Sequence, residues 1–175
     1  ASTVTAMLKS LGSGAGSNSI EDFAKADCLL ITGNNMIETH PVTATFVKNG
    51  QYKGNRIIVV DPRWTKMVKY ADIWLQPRVG TDVALLNGMI RQIIKEDRVD
   101  QTFIEEKVEG GMESFQKLKE LVEPYTPEET ERITGVPGEK FIEAARIYAR
   151  ASRAMIATGM GLSQQQVGTN MVFSL

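Results

Sequence analysis

Four short polar clusters hold the residues of this 175-residue sequence that could do chemistry. They are Gly33-Asn34-Asn35 with Glu38, Thr39 and His40 behind it; Asp61-Pro62-Arg63; Gly80-Thr81-Asp82; and Gly159-Met160-Gly161 followed by Gln164. Carboxylates such as Asp61 accept hydrogen bonds from a ribose or from a purine's N–H groups, and an arginine pairs with phosphate. That is the chemistry of holding a nucleotide. A solvated turn with a local salt bridge fits Asp61 and Arg63 equally well. Gly80-Thr81-Asp82 opens a long helix, as an anion site or as an ordinary N-cap supplied by Thr81. Neither GxGxxG nor GxxxxGK[ST] occurs, so the commonest dinucleotide and P-loop fingerprints are missing. Nothing reads as a nucleophile with its base or as a carboxylate dyad. His40, next to Pro41, reads as a structural hydrogen-bonding residue, Cys28 as a buried inert thiol, and Trp64 as a packing residue. Glu38 either meets a ligand hydroxyl or caps the helix begun by Pro41.

These clusters need elements to position them. Cys28 to Ile31 is a continuous apolar run between Asp27 and Thr32-Gly33, the pattern of a strand buried on both faces. Arg56 to Asp61 repeats it with β-branched residues, and Ile73 to Gln76 and Ala154 to Thr158 supply a third and a fourth strand. Each run ends in one of the polar clusters, and right-handed crossovers in a parallel sheet bring such loops to one edge. Between them the pattern predicts a helix starting at Pro41 and ending at Gly50, a short helix over 65–71, and a strong amphipathic helix over 82–98. Ser17 or Ser19 caps a short helix before the first strand. Residues 4–11 read as a short turn, and LGSGAG as a linker. Residues 100–151 read as helices only, a helical insertion before the last strand, with a capping box at Thr126-Pro127-Glu128-Glu129. The fold class is α/β, with a nucleotide-sized site at the strand tips.

Composition narrows the classes. Hydrophobic content of 42% with 23% charged residues is ordinary for a globular chain. A net charge of -1 argues against a nucleic-acid surface, and no apolar run reaches the roughly 20 residues a bilayer span needs. One cysteine and one histidine exclude an internal disulfide and an all-cysteine metal cage made by this chain alone. The start at Ala1 and the apolar end MVFSL read as cuts in a longer protein.

Taken in order, LGSGAGSNSI, GNNMIETHPV, IIVVDPRWTKMVKYADIWLQPRVGTDVALLNGMI, YTPEETERITGV with FIEAARIYARA, and ATGMGLSQ resemble the molybdopterin oxidoreductases, and within them formate dehydrogenase catalytic (alpha) subunits. The resemblance runs essentially end to end, with Asn34 and Met36-Ile37 departing from it in the first loop. It implies a Rossmann-like parallel sheet flanked by helices, one single domain over 1–175 that grips one half of a bis(molybdopterin guanine dinucleotide) cofactor carrying Mo or W. By that resemblance Asn35, Glu38 and Thr39 contact the dinucleotide arm, and Asp61 and Arg63 meet the guanosine end. Gly80 and Asp82 form the next contact loop, with Asp82 accepting from guanine N–H groups. Gly159, Met160 and Gly161 pass the pterin, and Gln164 approaches the metal end. The metal-binding Cys or selenocysteine, the active-site Arg and the cysteines of a 4Fe-4S cluster fall outside this chain. No catalytic and no metal-ligating residue is therefore expected in it, and alone it is expected to be inactive. The parent is expected to be cytoplasmic and to oxidise formate to CO2. Its partners would be the remaining domains of the same subunit and electron-transfer subunits, with no nucleic acid and no membrane contact. Two other readings stay open. Another enzyme of the family, such as a nitrate reductase, shares these loops and differs at the metal ligand. A non-catalytic nucleotide-binding or interaction module would show no guanine preference.

Overall fold

The computed structural model describes residues 2–165 and 168–174. Four strands, β1 (Cys28–Thr32), β2 (Arg56–Val60), β3 (Ile73–Leu75) and β4 (Ala154–Thr158), form one sheet in the order β3-β2-β1-β4. Every neighbouring pair is parallel, with Leu30 opposite Ile58 on one side and Ile156 on the other. All four carboxyl ends therefore lie on one edge.

The helices are α1 (Ser2–Leu11), α2 (Met36–Thr39), α3 (Pro41–Tyr52), α4 (Asp82–Lys95), α5 (Gln101–Lys107), α6 (Gly111–Val122), α7 (Pro127–Thr134), α8 (Gly138–Arg150), α9 (Met160–Ser163) and α10 (Gly168–Phe173). Side chains alternate across a strand, so the continuous apolar runs feed two cores. Cys28, Leu30, Ile58, Val60 and Leu75 face α4 and α8, where they meet Leu85, Met89, Phe141 and Ala144. Leu29, Ile31, Ile57 and Val59 face the other way, onto Met36, Ala44, Val47 and Met67. The result is helix, sheet, helix in three layers, the α/β architecture that the apolar runs predicted.

Helices α4 to α8 fill the chain between β3 and β4. They also brace the third loop. The Arg78 guanidinium donates to the carbonyls of Arg132 (2.7 Å) and Ile133 (3.1 Å), and the Arg78 N–H donates to Thr134 O at 2.8 Å. A cation at those unsatisfied carbonyls suits the negative end of α7.

Several local expectations change. Residues 2–11 form a ten-residue helix rather than a short turn, because α1 packs on α10 from the far end of the chain. The segments 20–24 and 66–70 are 3-10 turns rather than α-helices, too short to accumulate α hydrogen bonds. Thr81 does not cap α4: its hydroxyl turns back to Arg78 O at 2.7 Å, completing the β-turn in which Gly80 sits at φ +85°. The box at Thr126 is half built, with Thr126 Oγ1 accepting from Glu129 N at 3.2 Å while the Glu129 carboxylate pairs with Arg132. Among the described residues no helix is long and apolar enough to cross a membrane.

Candidate functional site

The strand order reverses between β1 and β4: the connection from β1 leads to β2 on one side, and β4 lies on the other. In open α/β sheets ligands bind at such a point, outside the carboxyl ends. The loops that meet there are those after β1 and β4, and they touch backbone to backbone. Gly161 N donates to Gly33 O at 3.0 Å, Gly159 N to Thr32 O at 3.1 Å, and Asn34 Nδ2 to Thr158 O at 2.9 Å. A methyl group at Gly159 would press on Gly33 O and stand 2.8 Å from Asn34 Cα; one at Gly161 would stand 2.9 Å from Gly33 O. Gly33 itself sits at φ +56°, where only glycine is unstrained. These glycines let the two loops meet backbone to backbone, a role their sequence left unstated. Met160 projects above it, 65% exposed. Gln164 ends α9 with an exposed side chain, its N–H donating to Met160 O at 2.9 Å.

The first loop is a small network. Asn35 Nδ2 donates to Glu38 Oε2 at 2.7 Å, and Lys66 Nζ, from the turn after β2, lies 3.3 Å from Glu38 Oε1. The Asn35 bond, with the Lys66 charge behind it, holds the Glu38 carboxyl below the usual carboxylate range. Thr39 Oγ1 donates to Asn35 O at 3.1 Å and lies 2.8 Å from His40 Nδ1. His40 is exposed and confined to this local bonding, in keeping with a structural residue. Asn35 Oδ1 is buried with no partner among the described residues.

The second loop is an Asx-turn. Asp61 Oδ1 accepts from Arg63 N at 2.8 Å, Trp74 Nε1 donates to Asp61 O at 2.9 Å, and Gln76 Nε2 donates to Pro62 O at 2.9 Å. Asp61 is buried rather than solvated, and among the described residues it makes no salt bridge with Arg63, whose side chain is exposed. The turn-with-salt-bridge alternative is replaced by a pinned turn with an exposed guanidinium. Trp64, expected to pack, is 51% exposed, because the pinned turn holds it outside the core.

The third loop brings Asp82 alongside. Asp82 is 6% exposed, with no cation within ion-pair distance of its carboxylate among the described residues. Burial, reinforced by the charge of Asp61, pushes its pKa up. Thr32 and Thr65 add two buried hydroxyls without partners among the described residues, at the ends of β1 and of the second loop. Buried polar groups normally find partners, so this edge offers acceptors and hydroxyls beside the exposed Arg63 side chain. Lys66, Arg78 and the two threonines carry no motif: the first two show their place only through long-range contacts, and the threonines only through burial. Cys28 is buried, and its thiol is pushed up to about 12 by desolvation, in keeping with an inert residue. Among the described residues no group of three or more His, Cys, Asp or Glu could hold a metal ion.

The model of the molybdopterin oxidoreductase family matches residues 3–175. The F420-dependent formate dehydrogenase subunit alpha of Methanocaldococcus jannaschii is 48% identical over 173 residues, 99% of this chain and 25% of that protein. Formate dehydrogenase H of Escherichia coli is 38% identical over 173 residues, 99% of this chain and 24% of that protein. Among solved structures, acetylene hydratase from Pelobacter acetylenicus superposes with a TM-score of 0.86 at 32% identity, over 99% of this chain and 23% of that one. The chain spans about a quarter of the length of these relatives. It belongs to the molybdopterin oxidoreductase family.

Proposed function

We propose that this chain is the part of a formate dehydrogenase catalytic subunit that grips one half of a bis(molybdopterin guanine dinucleotide) cofactor. On this reading 1–175 is one domain and 100–151 its helical insertion. The carrying observation is the buried Asp82 beside Asp61, without a cation in ion-pair reach among the described residues, at an edge that also holds the buried Asn35 Oδ1 and the Thr32 and Thr65 hydroxyls, likewise without partners among those residues. A guanine presents two adjacent N–H donors, which suit a carboxylate, and a ribose presents hydroxyls. Asp82 would take the guanine edge, Asp61 the ribose, and Arg63 a phosphate, where bidentate pairing is strongest. Asn35 would offer its free amide oxygen to the dinucleotide arm, with Glu38 and Thr39 fixing its orientation and Gly80 keeping the third loop open. Gly159, Met160 and Gly161 would line the pterin, and Gln164 would point toward the metal end.

When bound, the cofactor supplies the redox chemistry of formate oxidation to carbon dioxide, with electrons leaving through a 4Fe-4S cluster held elsewhere in the subunit. The residues in this chain bind and orient; none of them exchanges a proton with substrate. Formate as substrate is supported by the formate dehydrogenase relatives. The fold alone does not choose a reaction, since acetylene hydratase shares it. The test is formate-dependent dye reduction by the full-length protein, with nitrate-dependent dye oxidation as control. Formate activity is expected. Nitrate activity alone would overturn the substrate, and neither activity in a protein carrying metal and pterin would overturn both.

A further inference from the structure

Trp64 stands half exposed at the strand tips although tryptophan is a residue that folds bury in large part. Its position is fixed from below. The loop carrying it is pinned by the Asp61–Arg63 turn, by Trp74 Nε1 on Asp61 O and by Gln76 on Pro62 O, and the next residue, Thr65, is buried. Lys69 Nζ lies 5.7 Å from the centroid of the indole, over one face. That is within cation–π range, and the indole remains half exposed for contact with a planar partner. A rigid aromatic with only two side-chain torsions, presented this way, offers flat contact at low entropic cost.

We propose that Trp64 is the stacking platform for the purine base at the guanosine end of the cofactor, an inference that rests on the cofactor reading above. The two recognition tasks then divide. Asp82 reads the donor edge of the base and sets the preference for guanine. Trp64 covers the face, which every purine has, and sets how firmly the nucleotide is held. The partner is a base rather than a second protein segment because the loop that offers the indole also offers Asp61 and the exposed Arg63, the acceptor and the phosphate partner a nucleotide needs.

The experiment is oxidation of the full-length subunit by N-bromosuccinimide, read at Trp64 by peptide mass spectrometry, with and without bound cofactor. A third sample carries a pterin cofactor lacking the nucleotide. Trp64 is expected to oxidise at least tenfold more slowly in the loaded protein than in the other two. Slow oxidation in all three means that polypeptide covers the indole, fast oxidation in all three means that nothing does, and either result overturns the inference. Equal protection by the nucleotide-free cofactor also overturns it. In parallel, Trp64→Ala is expected to release guanine nucleotide roughly tenfold faster on dialysis, with Trp64→Phe largely rescuing retention. GMP released by acid hydrolysis of the loaded protein separates the two levels. GMP present with Trp64 unprotected sinks only the platform, whereas metal and pterin without GMP sink the guanine dinucleotide reading and the platform with it.

Discussion

Replacing Gly159 by alanine puts a methyl group into a space that does not exist. It would press on Gly33 O and stand 2.8 Å and 2.9 Å from Asn34 Cα and Cβ. Two of those atoms are backbone of a pinned loop, so the loops after β1 and β4 must part. Overpacking of this kind costs about 1–3 kcal/mol. Parting the loops also strains the Gly161 N to Gly33 O bond and the Asn34 bond to Thr158 O, each worth about 1 kcal/mol. A total of about 2–4 kcal/mol corresponds to a fall in Tm of roughly 5–15 °C for a chain of this size. The assay is thermal unfolding of the cofactor-free protein by circular dichroism, with Gly16→Ala as control, since a methyl there meets nothing within 4 Å. The cofactor-free state matters. If Gly159 were glycine only to let a pterin pass, the ligand-free fold would not notice the methyl. A Tm for Gly159→Ala equal to that of Gly16→Ala would refute the loop-packing argument.

Arg63→Ala should leave the fold intact, because the Asx-turn uses the backbone N–H of residue 63, and should lower the metal and pterin retained by the full-length protein; normal content would count against the phosphate role. Asp82→Asn should raise the Tm of the cofactor-free protein at neutral pH. A buried acid with a raised pKa is best tolerated below its unfolded pKa and loses that tolerance as pH rises through the folded value, so the gain should vanish in acid. Glu96 behaves oppositely: Arg146 and Gln92 hold its pKa down to about 2 from 4.5, so its contribution is present above 4.5 and lost as pH falls toward 2. The Tm gap between wild type and Glu96→Gln should therefore close over that window, and a pH-independent gap would exclude the ion pair as its cause. Phe141→Ala removes the largest fully buried side chain and should cost about 3–5 kcal/mol in a denaturant titration.

The two-faced strands, and the helices that must cover them, were legible in the sequence alone. The runs at Cys28 to Ile31 and Ile57 to Val60 have no polar position to turn outward, so burial on both faces, and hence helices on both sides, was already settled locally. Thr126 likewise caps its helix through a bond to the residue three places on. The tertiary structure decided everything that depends on which strand lies beside which. The order β3-β2-β1-β4 puts Gly33 against Gly161 and lets Asn34 reach Thr158, 124 residues along the chain. No local pattern encodes those neighbours. Trp64 shows the same limit in reverse. Its type argued for packing, and only bonds to Asp61 and Pro62 from Trp74 and Gln76, side chains of the β3 segment, hold its loop outside the core. Asp82 was legible as an acceptor but not as a buried, unpaired one, because the charge beside it belongs to Asp61 on a different strand tip. Residue type fixes what a side chain can offer, and long-range packing fixes what is left over for a ligand to take.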